Sequence, residues 1–139
     1  LAKLFDAVNI DEVTMGFQKK RAMAKDKLID WSLQDSRYMG MKFSDDFKGS
    51  IERYLLQGLK PGGFGEAMLA CDWERALYSA DTHNRQVLWA VAIWVREHMP
   101  GGSWGSYETV EAWCRDEDGR RSEFLNAWEK ERVWLTLVK

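Results

Sequence analysis

The chain has 139 residues, 45% of them hydrophobic and 30% charged, which suits one folded domain and excludes wholesale disorder. A net charge of −2 excludes a broad phosphate-binding surface, and the balance is even along the chain: residues 1–40 carry seven Lys/Arg against six Asp/Glu, and residues 41–139 carry thirteen against sixteen. Two cysteines make no disulfide framework, and the longest uncharged apolar stretch, residues 87–95, covers about half a bilayer span.

In chain order, residues 11–35 are mostly good helix formers, with apolar positions at Val13, Phe17, Leu28 and either Ile29 or Trp31. The middle of this helix is charged, and Lys19-Lys20-Arg21 is the one basic spot of the chain. Its weak apolar stripe predicts an arm that leans on a neighbour or on another chain, a homo-oligomer included. Residues 36–41, with Gly40, read as a break.

The next helix opens on Ser44, with Asp45 and Asp46 at its positive end, and shows Phe47, Ile51, Tyr54 and Leu55 on one face. Gly58 stops it, and Lys60-Pro61-Gly62-Gly63 turns the chain. Residues 64–70 are predicted as a short helix, and Asp72 as the cap of another that carries Trp73, Ala76 and Leu77.

From Thr82 or Asn84 to His98 runs the most apolar helix of the molecule. Val87, Val91, Trp94 and Val95 make one face, and Leu88, Trp89 and Ile93 spread over the others, so burial on every side is expected. Pro100-Gly101-Gly102 closes it, as Pro61-Gly62-Gly63 precedes it; two such turns are too few to establish a duplicated unit. Ser106 caps a helix with Val110, Trp113 and Cys114 inward, residues 116–119 form a polar turn, and a last helix from Ser122 to about Leu137 carries Phe124, Leu125, Trp128 and Leu135. The expected fold is all-α: five to seven helices around a buried central helix at residues 84–98. Residues 1–40 form a helical arm and residues 41–139 a compact domain.

The motifs Pro61-Gly62-Gly63-Phe64, Ala80-Asp81 followed by Asn84, Trp104-Gly105-Ser106, and Val110 followed by Trp113 resemble those of a group of short, uncharacterised bacteriophage and prophage proteins, over residues 44–114. The resemblance implies a phage origin and carries no catalytic residue with it. Proteins of that group begin near the Ser44 helix, where this chain has Met41, so the resemblance implies that residues 1–40 are an added segment.

Catalytic and metal chemistry find little support in the residues. Cys71, His83, His98 and Cys114 are the whole soft-ligand inventory, spaced by 12, 15 and 16 positions, without the close ligand pair of a structural zinc site. Both thiols are expected to be buried, which raises their pKa and quiets them. Asp45-Asp46 and Asp116 with Asp118 sit at cap and turn positions, where helix polarity and solvation account for them. Lys60-Pro61-Gly62-Gly63-Phe64-Gly65 precedes a helix but lacks the Gly-Lys-Ser/Thr ending of a nucleotide loop. No cofactor and no metal is expected.

Eight tryptophans are many for this length, and one or two are expected at a contact surface. Trp104 and Tyr107, in a glycine-rich turn at a helix start, are the first candidates for partner binding, with Phe17, Lys19, Lys20 and Arg21 of the arm. The competing reading folds Trp104 back over the central helix as a lid. The expected function is that of a non-enzymatic phage-type accessory protein which binds and modulates a host protein, in host takeover or against host defence. The alternative is a small nucleic-acid-binding module that uses the basic arm. No signal-peptide pattern opens the sequence, no membrane contact is expected, and the expected location is the cytoplasm.

Overall fold

The computed structural model describes residues 28–131. Among the described residues there are seven helices and no strand, which is the all-α architecture expected. They are α1 (Trp31–Ser36), α2 (Asp45–Gln57), α3 (Gly63–Ala70), α4 (Trp73–Ser79), α5 (Thr82–His98), α6 (Tyr107–Arg115) and α7 (Arg120–Glu131).

Side-chain caps set most of the helix starts. The Ser44 hydroxyl accepts from Phe47 N at 3.2 Å, the Asp72 carboxylate from Arg75 N at 3.2 Å, the Asp81 carboxylate from Asn84 N at 2.7 Å and the Ser106 hydroxyl from Thr109 N at 3.1 Å. Each satisfies a first-turn amide that has no partner within its own helix. Charges follow helix polarity: Asp45 and Asp46 lie in the first turn of α2, Arg96 and His98 in the last turn of α5.

One expected helix is broken. Its residues 11–27 lie outside the described residues. Asp30 is extended (φ −88°, ψ 91°) and its carboxylate accepts from Leu33 N at 3.2 Å. That local bond caps a helix that starts at Trp31, so Asp30 is a helix boundary and not a helix interior.

Helix α2 ends at Gly58, whose φ of 72° suits glycine. A Cβ there would also stand 2.7 Å from a guanidinium nitrogen of Arg121. This guanidinium donates to the carbonyls of Trp113 and Cys114 at 3.1 and 3.2 Å and so closes the C-terminus of α6. Asp116 follows in the left-handed region at φ 56°, and its carboxylate accepts from Arg121 N, Ser122 N and the Ser122 hydroxyl, which starts α7.

The core has two aromatic centres. In the first, the buried Trp94 ring of α5 meets Trp31 at 5.3 Å, Phe43 at 6.0 Å and Phe47 at 6.4 Å, the two phenylalanines edge-on. Its indole N–H donates to the Gln34 side-chain oxygen at 2.8 Å. Leu28, Ile29, Gln34 and Tyr38 are all buried in this core, so the described part of the segment assigned to the arm, residues 28–40, packs with the helices that follow it. In the second centre, Tyr54 of α2 donates to Ser103 O at 2.8 Å, Trp113 of α6 donates to Tyr54 O at 3.0 Å, and the two rings lie 5.9 Å apart. Between the centres runs α3, with Gly65, Ala67, Met68, Leu69 and Ala70 buried and α2, α4, α5 and α6 against it. Its small residues permit that close approach.

Two expectations of burial, for α5 and for the thiols, are corrected. Helix α5 buries Val87, Ala90, Val91, Trp94, Val95 and His98, but Trp89 and Ile93 are 42% and 41% exposed, because no described element covers the opposite side. On α4 only Ala76 is buried; Trp73 and Leu77 flank it and are exposed, and Tyr78 is more exposed still. Cys71 and Cys114 are free and only half-buried, though the burial they have does push both thiols up.

Replacing Gln34 by Ala leaves the Trp94 N–H without its acceptor inside the core and opens a cavity. Urea unfolding followed by tryptophan fluorescence should show a loss of about 2–4 kcal/mol. The tyrosines set an alkaline limit. Burial, reinforced by the Glu97 carboxylate, pushes Tyr38 from 10.0 up to about 12, and burial pushes Tyr54 up as well. The native state therefore keeps phenolic protons that the unfolded chain releases, so their stabilisation is complete below about pH 10 and is lost as pH rises above it. Tyr54→Phe should flatten the fall of stability with pH in that range, as read from unfolding curves at successive pH values.

Candidate functional site

Seventeen residues of α5 make a rigid platform, and its periodicity divides them cleanly. With Val87, Val91, Trp94 and Val95 inward, Trp89 projects from the middle of the opposite side, Ile93 follows one turn later, and Arg85 and Arg96 are exposed along the same side.

The borders of this face are aromatic. The Tyr38 ring lies 6.3 Å from Trp89, edge-on, and the Tyr38 hydroxyl donates to Glu97 of α5 at 3.2 Å, which fixes one flank. The adjoining Met39 stands almost fully exposed in a left-handed turn. Toward the C-terminal end, the Arg96 guanidinium lies 5.3 Å from the Trp104 ring centroid. Trp104 is half-buried against the core, and the turn that carries it is held by Gly105 N donating to Leu69 O at 2.8 Å.

Tyr107 goes elsewhere. Its hydroxyl donates to Asp72 at 2.6 Å and accepts from Arg75 at 3.0 Å, with that guanidinium 5.6 Å from the ring centroid. Arg75 also reaches Glu66 at 3.3 Å, and Lys60 lies 3.8 Å from Glu66 and 3.3 Å from Glu111. The result is a polar seam across α3, α4 and α6. Within it, the Tyr107 hydrogen bond is the main reason that Asp72 is held below the usual carboxylate range, with Arg75 N assisting.

The sequence-selected residues therefore separate. Trp104 borders the outer face of α5, Tyr107 belongs to the seam, and Phe17, Lys19, Lys20 and Arg21 lie outside the described residues. Trp89 and Ile93 were missed as surface residues. The available signal was their position on the helical wheel, opposite the strongest apolar face.

The His83 ring nitrogen Nε2 donates to Lys42 O at 2.6 Å, and His98 is buried with its ring 6.0 Å from Trp94. Among the described residues no group of three His, Cys, Asp or Glu side chains gathers to hold a metal ion, and no helix is long and apolar enough to cross a membrane.

Tyr107→Phe removes the largest influence on Asp72 and leaves the Arg75 amide bond in place. The Asp72 carboxyl should titrate closer to the ordinary aspartate range, as read from its carboxyl carbon shift in an NMR pH series. Chain comparison adds nothing to this geometry: no protein-family model, no curated protein and no solved structure matches this chain.

Proposed function

We propose that this chain is a non-enzymatic, phage-type accessory protein that binds a host protein through the outer face of α5. The observation that carries the binding reading is the exposure of Trp89 and Ile93, one turn apart on a helix whose other side is fixed in the core. Tryptophan and arginine dominate binding hot spots, because large rigid side chains bury much area at low entropic cost. Here Trp89 and Ile93 supply apolar area, Arg85 and Arg96 supply directional donors, and Trp104 and Tyr38 hold the two borders in place. A rigid face needs little ordering on association, which favours affinity. The phage origin and the host identity of the partner rest on the resemblance of residues 44–114 alone.

The test is affinity capture from a bacterial lysate with the whole chain and with a Trp89→Ala/Ile93→Ala variant. Both side chains are partly exposed, so the double change should leave the fold intact, with a stability change of about 1 kcal/mol or less. A protein retained by the parent chain and lost by the variant, at unchanged circular dichroism, is the expected result. Identical captured sets would remove the α5 face from the proposal. Salt-sensitive binding of DNA or RNA that survives the double change would transfer the function to the basic arm.

A further inference from the structure

A second place in the fold has the chemistry of a small-ligand site. Asp46 and Phe47 of α2, the Gly62–Gly65 start of α3 and Asn84 of α5 line one surface cleft of about 220 Å³. Phe47 and Phe64 meet edge-on at 6.1 Å beside it.

Two independent observations converge on this cleft. The first is the start of α3, which differs from those of α2, α4, α5 and α6 in having no side-chain cap. Its first helical bond is Glu66 N to Gly62 O, so the amides of Gly63, Phe64 and Gly65 precede the ladder and present donors and the positive end of the helix. The second is Asn84. It is only 9% exposed, and its side-chain oxygen is buried with no hydrogen-bond donor among the described residues. A buried acceptor without a donor is destabilising, so a donor arriving there recovers stability that the free protein lacks.

We infer that this cleft binds a free α-amino acid, its carboxylate on the α3 amides and its ammonium group toward the Asn84 side-chain oxygen and the Asp46 carboxylate. An inorganic dianion suits the cleft poorly. Asp46 repels it, and the bases nearest in sequence are already paired, Lys48 with Asp35 and Lys60 with Glu66 and Glu111. A zwitterion meets both polarities, and the partly buried Phe64 offers apolar surface to its side chain. A peptide C-terminus shares the carboxylate and an adjacent N–H donor but not the positive charge. The inference stands apart from the proposed role of the α5 outer face.

The experiment is an amide proton–nitrogen NMR titration of the whole chain with each common free amino acid at millimolar concentration. N-acetyl amino acids, tetrapeptides as acids and as amides, and inorganic phosphate serve as further probes. Saturable shifts at Phe64, Gly65 and Asn84 with one or more free amino acids are expected. Two variants separate binding from folding. Gly62 has an extended backbone (φ −69°) and open space around its Cβ position, so Gly62→Asp caps α3 with its own carboxylate; it should preserve or raise the melting temperature and abolish the shifts. Asp46→Asn, at an exposed site, should weaken free amino acids by about tenfold and leave N-acetyl forms unaffected. Binding of tetrapeptide acids but not of free amino acids would keep the carboxylate site and overturn the amino acid as its ligand. Saturation by phosphate or by peptide amides, undiminished binding in Gly62→Asp, or no shifts with any probe would overturn the site itself.

Discussion

The buried indole of Trp94 is the constraint around which the rest of the molecule is arranged. A fully enclosed N–H must find an acceptor, and Gln34 supplies it at 2.8 Å from sixty residues away. That bond forms only when α1 lies across α5. The neighbouring aromatic residues are tied in the same way: Trp31 donates to Glu52 of α2 at 2.9 Å and Tyr38 to Glu97 of α5 at 3.2 Å. Lys48 adds an ion pair to Asp35 at 3.1 Å while lying 5.8 Å from the Trp31 ring centroid. Each large side chain thus gives its apolar body to the core and its polar end to another helix, which fixes orientation as well as contact.

The local rules of helix boundaries were legible in the sequence. Ser44, Asp72 and Ser106 cap the helices they were expected to cap, and Gly58 and the Pro100 turn end theirs, because these signals act over three or four residues. Asp30 acts over the same range, yet it was read as the interior of a longer helix. The apolar residues on both sides of it suggested continuity, and an aspartate can sit either at a cap or on a solvated helix surface.

Which side of a helix finds a neighbour is a long-range property, and the sequence carried only one local sign of it, the wheel position of Trp89 and Ile93 opposite the strongest apolar face. The run from Val87 to Val95 is apolar nearly all round, but only one side meets packed elements; Trp89 and Ile93 remain outside. The candidate site shows the same limit. A glycine-rich turn with two aromatics left two readings open, an exposed pair or Trp104 folded back over the central helix. Arg96 draws Trp104 to α5, as in the second, while Asp72 and Arg75, more than thirty positions away, draw Tyr107 to α4. Nothing near Tyr107 in sequence encodes those partners.

Fold stability alone leaves the outer face of α5 unexplained. Single exposed apolar residues are ordinary, because a domain has too little polar surface to cover itself. Trp89 and Ile93 are not isolated, however: they lie one turn apart, with the Tyr38 ring at 6.3 Å and exposed Met39 adjoining it. That grouping is the basis on which we propose this face as a binding surface. The proposed binding therefore rests on Trp89 and the face opposite the core, and not on the Trp104 turn, whose ring is half-buried and whose Tyr107 is held by Asp72 and Arg75.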